Sequence, residues 1–275
     1  MNRTKIFLYS FLLYTGTLAV GLMAAWRHVI KPELGSVVPI ELTLGNGAMF
    51  LAVFVIFTFV MVRFGRTARI ALPLLLLIAM LAGANFALSS WLVWPYSIVG
   101  ALLVVALALA MPVVLTHDLA LLIGIAGISS MLGLSLTPLV ACGALALLSL
   151  YDIVSVYRTR HMVALAGNMI SSGAVFGFLV PLRLSGFFTS RRQALDSRQV
   201  MMLGSGDIGL PLILVTSIVS QSINAAILVG VFALAGLMLM HWLFAHQERR
   251  EPMAALPPIA MAAILGYVLA IVLGI

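Results

Sequence analysis

Two carboxylates stand apart by their setting. Asp152 and Asp207 each interrupt a long apolar run, whereas Glu33, Glu41, Asp118, Asp196, Glu248 and Glu251 fall in or beside more polar connections. An ionisable side chain inside a membrane span costs several kcal/mol, so its presence there points to a site. One such aspartate alone also serves as a hydrogen bond between helices; two open another chemistry. Asp152 precedes Arg158 by six residues, about 9 Å of helix, and Asp207 follows Arg198 by nine, about 14 Å. On adjacent antiparallel helices the two carboxyls would lie at nearly one depth. Two acids in a low-dielectric pocket resist joint ionisation and share a proton. The ionised member then takes a proton from water while the neutral member polarises a peptide carbonyl. The same two groups would equally suit a transporter or channel that binds protons or cations in turn.

The elements that must hold these residues follow from composition. Of 275 residues, 63% are hydrophobic and 8% charged, with mean hydropathy +1.21. So few charges cannot cover a soluble domain of this size, which excludes a soluble enzyme and a disordered chain alike and makes the lipid bilayer the partner of most of the surface. The net charge of +7 is read as basic connections on one side of a membrane, so nucleic acid is not a predicted partner. A hydrocarbon core of about 30 Å needs roughly 20 apolar residues as helix. The runs predict an all-α membrane protein, one domain over 1–275, with nine spans near 6–26, 43–62, 70–89, 92–115, 119–136, 138–157, 199–220, 222–245 and 253–275. The first run has no small-residue cleavage site at its end and is read as a retained span.

With the N-terminus inside, thirteen of the fifteen basic residues fall on the inner side and only Arg27 and Lys31 outside. A miscounted span would mix the two sets, so the sorting predicts N-in/C-out. The long basic loop 158–198, between spans six and seven, contains the apolar stretch 174–180. Gly173, Gly177 and Pro181 leave it too short to cross, so it is predicted as a short strand or interfacial segment.

Three motifs carry a resemblance. Tyr151–Asp152, Gly204–Ser205–Gly206–Asp207 and Leu256–Pro257 resemble the signature of the presenilin and signal peptide peptidase family of intramembrane aspartyl proteases. The stretch from Tyr151 to Met162 is similar to archaeal members, and Gly206–Asp207–Ile208–Gly209–Leu210–Pro211 resembles the peptidase branch, where a proline follows the aspartate at this spacing. The resemblance implies a multi-pass protease, of archaeal type, that hydrolyses transmembrane segments of other membrane proteins or signal peptides, with Asp152 and Asp207 catalytic and no cofactor. It implies supporting roles for Tyr151, Gly204, Gly206, Ala255, Leu256 and Pro257, and it allows a homo-oligomer or accessory membrane subunits. Where the family has Pro–Ala–Leu, this chain has Ala254–Ala255–Leu256, followed by Pro257 and Pro258; the two prolines lack backbone donors and still keep the helix entrance irregular.

Read physically, Gly204 and Gly206 let the seventh span approach the sixth and leave backbone open to a substrate. A substrate helix hides its carbonyls in its own hydrogen bonds, so cleavage needs an unwound strand; 174–180 and Leu256–Pro257 are the expected backbone to hold it. His28, His117, His161 and His246 are read as loop residues, and His241 lies near the end of the eighth span; their spacing predicts no metal site. Gly124, Gly127 and Gly133 are read as close helix contacts. Cys142 is the single cysteine, which excludes an internal disulfide.

Overall fold

The computed structural model describes residues 3–31, 65–158, 175–197, 200–246 and 253–275. The predicted second span, 43–62, lies outside them. The helices are α1 (Arg3–Ile30), α2 (Gly65–Ser89), α3 (Tyr96–Ala110), α4 (Val114–Ser135), α5 (Pro138–Ile153, continued by a π-helical turn over Val154–Arg158), the short α6 (Arg191–Asp196), α7 (Ser205–Ile218), α8 (Ile223–Ala245) and α9 (Leu256–Leu273). Five are long and apolar enough to cross a bilayer: α1, α4, α5 with its extension, α8 and α9. The apolar stretches of α2, α3 and α7 are shorter. Outward helix faces carry exposed Leu103 on α3, Leu139 on α5, and Met261 and Val272 on α9, as surfaces that meet lipid do.

Several predicted boundaries shift. The span 92–115 shrinks to α3 because Pro95 precedes it and Pro112 forces Met111 out of helical geometry. α4 consequently starts at Val114, five residues before the predicted 119, and carries His117 and Asp118 inside its first turns instead of in a loop. His28 likewise lies in the last turn of α1, stacked 4.3 Å from the Phe86 ring. The predicted span 199–220 divides into a strand and a helix. Val200–Gly204 forms β2, and α7 begins only at Ser205. β2 pairs antiparallel with β1 (Gly177–Pro181), in the register Gly177↔Gly204, Leu179↔Met202 and Pro181↔Val200. Of the stretch 174–180 read as a short strand or interfacial segment, 177–180 are strand, 175–176 are not, and 174 lies outside the described residues.

α7 is the hub. Ile208, Leu212, Leu214, Val215 and Ile218 are buried over a broad face, wider than the stripe of a surface helix. It packs against α1, α4, α5, α8 and α9. Glycines permit the closest crossings, as their spacing suggested. A methyl added at Gly83 of α2 would strike the Gly124 carbonyl of α4, and one at Gly127 would strike that of Gly83. The bundle also has two distinct ends. Ile6 and Tyr9 at the start of α1 pack with Val180 of β1, while at the far end Arg27 donates to the Ser90 carbonyl (3.1 Å) and lies 5.8 Å from the Trp91 ring.

Candidate active site

α5 buries Pro138, Ala141, Leu145, Ser149 and Asp152, a stripe spaced by three and four residues that is one helical face. Asp152 thus continues a core stripe at the point where the helix widens into its π-helical turn, a local irregularity common at functional sites. One of its oxygens, Oδ2, is buried and has no hydrogen-bond partner among the described residues. The carboxyl is also approached by the backbone N–H of Leu256. That donor is free because Leu256 opens α9, where the first amides have no partner within the helix, and Pro257 and Pro258 contribute none.

Asp207 is the third residue of α7 and Gly204 its N-cap. The Asp207 carboxylate reaches back to the Gly204 backbone N–H, one half of a capping box, and sits at the positive end of the helix dipole. α7 spans only 14 residues, about 21 Å. That is shorter than a hydrocarbon core of about 30 Å. Asp207 is half-buried and within electrostatic reach of Asp152. α5, α7 and α9 pack on one another, so the two aspartates and the Leu256 entrance occupy one locality.

The expected supporting residues sort differently. Tyr151 is 44% exposed, a single helical step round from the stripe that buries Asp152. Ala255 caps α9, and Leu256 is buried, as is Ala254 where the family proline would stand. The glycine reading needs correction. Gly204 precedes the helix and abuts Asp207, since an added methyl would lie 2.8 Å from Asp207 Oδ2. Gly206 meets no described atom within 4 Å at that position and lines a cavity of about 230 Å³ with Met80, Gly124 and Gly209, on the side of α2 and α4, not of α5.

Three polar residues near this region were not read as part of a site from the sequence. Asp118 is fully buried, and its Oδ1 accepts the Leu179 N–H at 2.9 Å; its Oδ2 has no partner among the described residues. His117 is buried beside it, with Nε2 3.2 Å from the Gly177 carbonyl and Nδ1 3.3 Å from the Arg191 guanidinium. Because Arg191 only donates, Nδ1 is the acceptor, and the ring is the neutral tautomer that donates through Nε2. On α1, the buried hydroxyls of Ser10 and Thr17 turn back to carbonyls of their own helix, but the longer Tyr14 cannot. Its hydroxyl is buried without a partner among the described residues, within electrostatic reach of Asp207.

These contacts settle the polarity of the sheet. In an antiparallel pair, alternate residues point their backbone groups outward. Gly177 and Leu179 turn theirs toward α4, where His117 and Asp118 take them, so 177–181 has no outer edge to offer a substrate. The opposed residues Val200 and Met202 turn theirs away from β1, and Met202 is exposed. Among the described residues, the edge left open belongs to β2.

Compared with known proteins, residues 40–275 match the family described as signal-peptide peptidase, presenilin aspartyl protease. Two solved structures of a presenilin family intramembrane aspartate protease, in space groups C222 and P2, are similar to this chain. Each is 26% identical; the TM-scores are 0.65 and 0.62, and the matches cover 95% and 94% of this chain and 98% and 95% of theirs. No curated protein matches it.

Proposed function

Because the chain belongs to the signal-peptide peptidase and presenilin aspartyl protease family, and is an aspartic endopeptidase of the integral-membrane kind, we propose that Asp152 and Asp207 are its catalytic pair. The observation that carries this reading is the setting of Asp152: a buried carboxyl with one oxygen unpartnered, in electrostatic reach of a second aspartate at a helix start. Leaving such an oxygen bare is costly in a purely structural role, and useful where a proton or water must be received.

The reaction needs one proton shared by the pair. The ionised carboxylate accepts a proton as water attacks the scissile carbonyl carbon, and the neutral carboxyl hydrogen-bonds the carbonyl oxygen as it gains charge. The proton taken from water then passes to the departing amine. The backbone N–H of Leu256 approaches the Asp152 carboxyl, whose Oδ2 has no partner among the described residues.

The substrate is a transmembrane polypeptide, locally unwound and added as a strand to the outer edge of β2, at Val200 and Met202. β2 runs directly into the helix that carries Asp207, so a strand paired there is led toward the carboxyls. Residues 177–180 of the stretch expected to hold the substrate instead support β2 from behind. Nine spans with the N-terminus inside remain the topology we propose: the start of α1, the sheet and the connection bearing Arg183, Arg191 and Arg192 share one end of the bundle, and Arg27 lies at the other.

The test is cleavage of a single-span substrate by protein reconstituted in lipid vesicles. Asp152→Ala and Asp207→Ala should each abolish cleavage with expression and thermal unfolding preserved, since neither carboxyl can serve both proton roles. Retained cleavage in either variant would remove the pair from the mechanism.

A further inference from the structure

The catalytic reading makes no use of His117 and Asp118, yet both are buried, and both spend their side chains on the backbone of one short strand. We propose that this pair is a positioning device that sets the register of the sheet, and thereby selects which peptide bond of the substrate reaches Asp152 and Asp207. The inference rests on the strand-addition reading given above.

The sheet cannot fix its own register. It has two strands of five residues each, and an isolated pair of that size is marginal. The strands are joined by the long connection 182–199 with no tight turn, so turn geometry does not align them. β2 joins α7 at one end, where Gly204 meets Ser205, and at the other Val200 and Met201 pack in apolar clusters, which fix no hydrogen-bond register. β1 is anchored by α4. Leu179 N–H donates to Asp118, and two residues earlier along the same edge the Gly177 carbonyl accepts from His117.

A slip that kept side chains on their own faces would move β1 by two residues, about 6.6 Å, and would break both bonds. A one-residue slip would turn Phe178 and Val180, both fully buried, to the wrong face. The anchor is itself braced. Arg191 donates to His117 Nδ1, and its own backbone N–H donates to the Pro112 carbonyl (2.9 Å), while Val114 N–H donates to Thr189 O (3.1 Å). Helix start, returning connection and strand are thus tied together. Asp118 is an expensive residue to bury, and the Leu179 N–H is what its Oδ1 serves.

The experiment uses the full chain in lipid vesicles, a single-span substrate, and mass spectrometry of both product termini. Wild type should cut one principal bond. Asp118→Asn, whose amide oxygen still accepts, should cut the same bond with KM within about threefold. Asp118→Ala should raise KM about tenfold, the scale of one lost buried hydrogen bond, with kcat nearly kept and cuts appearing two residues away. His117→Gln against His117→Ala provides the same contrast at the second anchor if Asp118→Ala does not fold. Loss of fold stability alone would not move the cut. A single unshifted cut with unchanged KM in the folded alanine variants would overturn the proposal, as would Asp118→Asn behaving like Asp118→Ala. N-methylation of the substrate backbone near the cut separates the two layers: if wild type cleaves the methylated substrate normally, strand addition itself fails. If methylation blocks cleavage while Asp118→Ala still cuts one bond, only the positioning role fails.

Discussion

Replacing Gly133 by alanine tests whether α4 dictates the position of α7, and so of Asp207. Gly133 lies in the last turn of α4. An added methyl would fall inside contact distance of Thr216 Oγ1 and 2.7 Å from the Ile213 carbonyl oxygen, both on α7. The hydroxyl can rotate away at the expense of the bond it donates to the Ser129 carbonyl (3.1 Å); the backbone oxygen cannot. Restoring ordinary contact at 3.4 Å requires the helices to part by about 0.7 Å. Overpacking of this kind costs about 1–3 kcal/mol and the lost bond about 1, while alanine returns about 1 through helix propensity. A net loss of about 2 kcal/mol corresponds to a fall in Tm of about 4–8 °C. Asp207 lies nine residues from Thr216, about 13 Å along the helix, so the strain reaches it as a tilt of some tenths of an ångström. On a scale of about 100-fold per ångström, turnover should fall about tenfold at temperatures where the variant is folded. The assay pairs thermal unfolding in detergent with cleavage of a reconstituted substrate. Adding Thr216→Ala should recover part of the Tm but little activity, because the Ile213 oxygen remains. Gly143→Ala on α5, where no described atom lies within 4 Å of the new methyl, should stabilise by up to about 1 kcal/mol. An unchanged Tm and turnover in Gly133→Ala would refute the claim that this crossing places the aspartate.

Other outcomes follow from the same contacts. Activity should be bell-shaped in pH, since the pair works with one proton and neither none nor two; a profile flat from acid to neutral pH would contradict a shared proton. Tyr14→Phe removes a buried hydroxyl that has no partner among the described residues, so it should leave Tm unchanged or raise it, by about 1 kcal/mol of stability at most. A clear drop in Tm would show that the hydroxyl is bonded in the working enzyme.

The two aspartates were legible because a charge inside an apolar run is costly wherever the chain folds, and the residues around them form short contiguous motifs. The membrane setting was legible for a similar reason: hydropathy adds up locally. Close packing at Gly124, Gly127 and Gly133 also followed from residue type, although which helix each one meets did not. His117 and Asp118 looked like loop residues because they fall between the predicted spans 92–115 and 119–136; only the fold shows the helix starting at Val114 and turning both side chains onto a strand sixty residues later in the chain. The break between β2 and α7 was hidden because an apolar run reads alike as strand or helix until its neighbours are known. Gly204 and Gly206 are identical in a sequence, yet one abuts a carboxylate and the other faces a cavity, since that depends on which backbone approaches from elsewhere. The sequence by itself marked the two candidate carboxyls and the membrane setting, because those are local energies. The tertiary structure alone decided which strand edge is open and what holds it, because hydrogen bonds between distant segments leave no periodic trace along the chain.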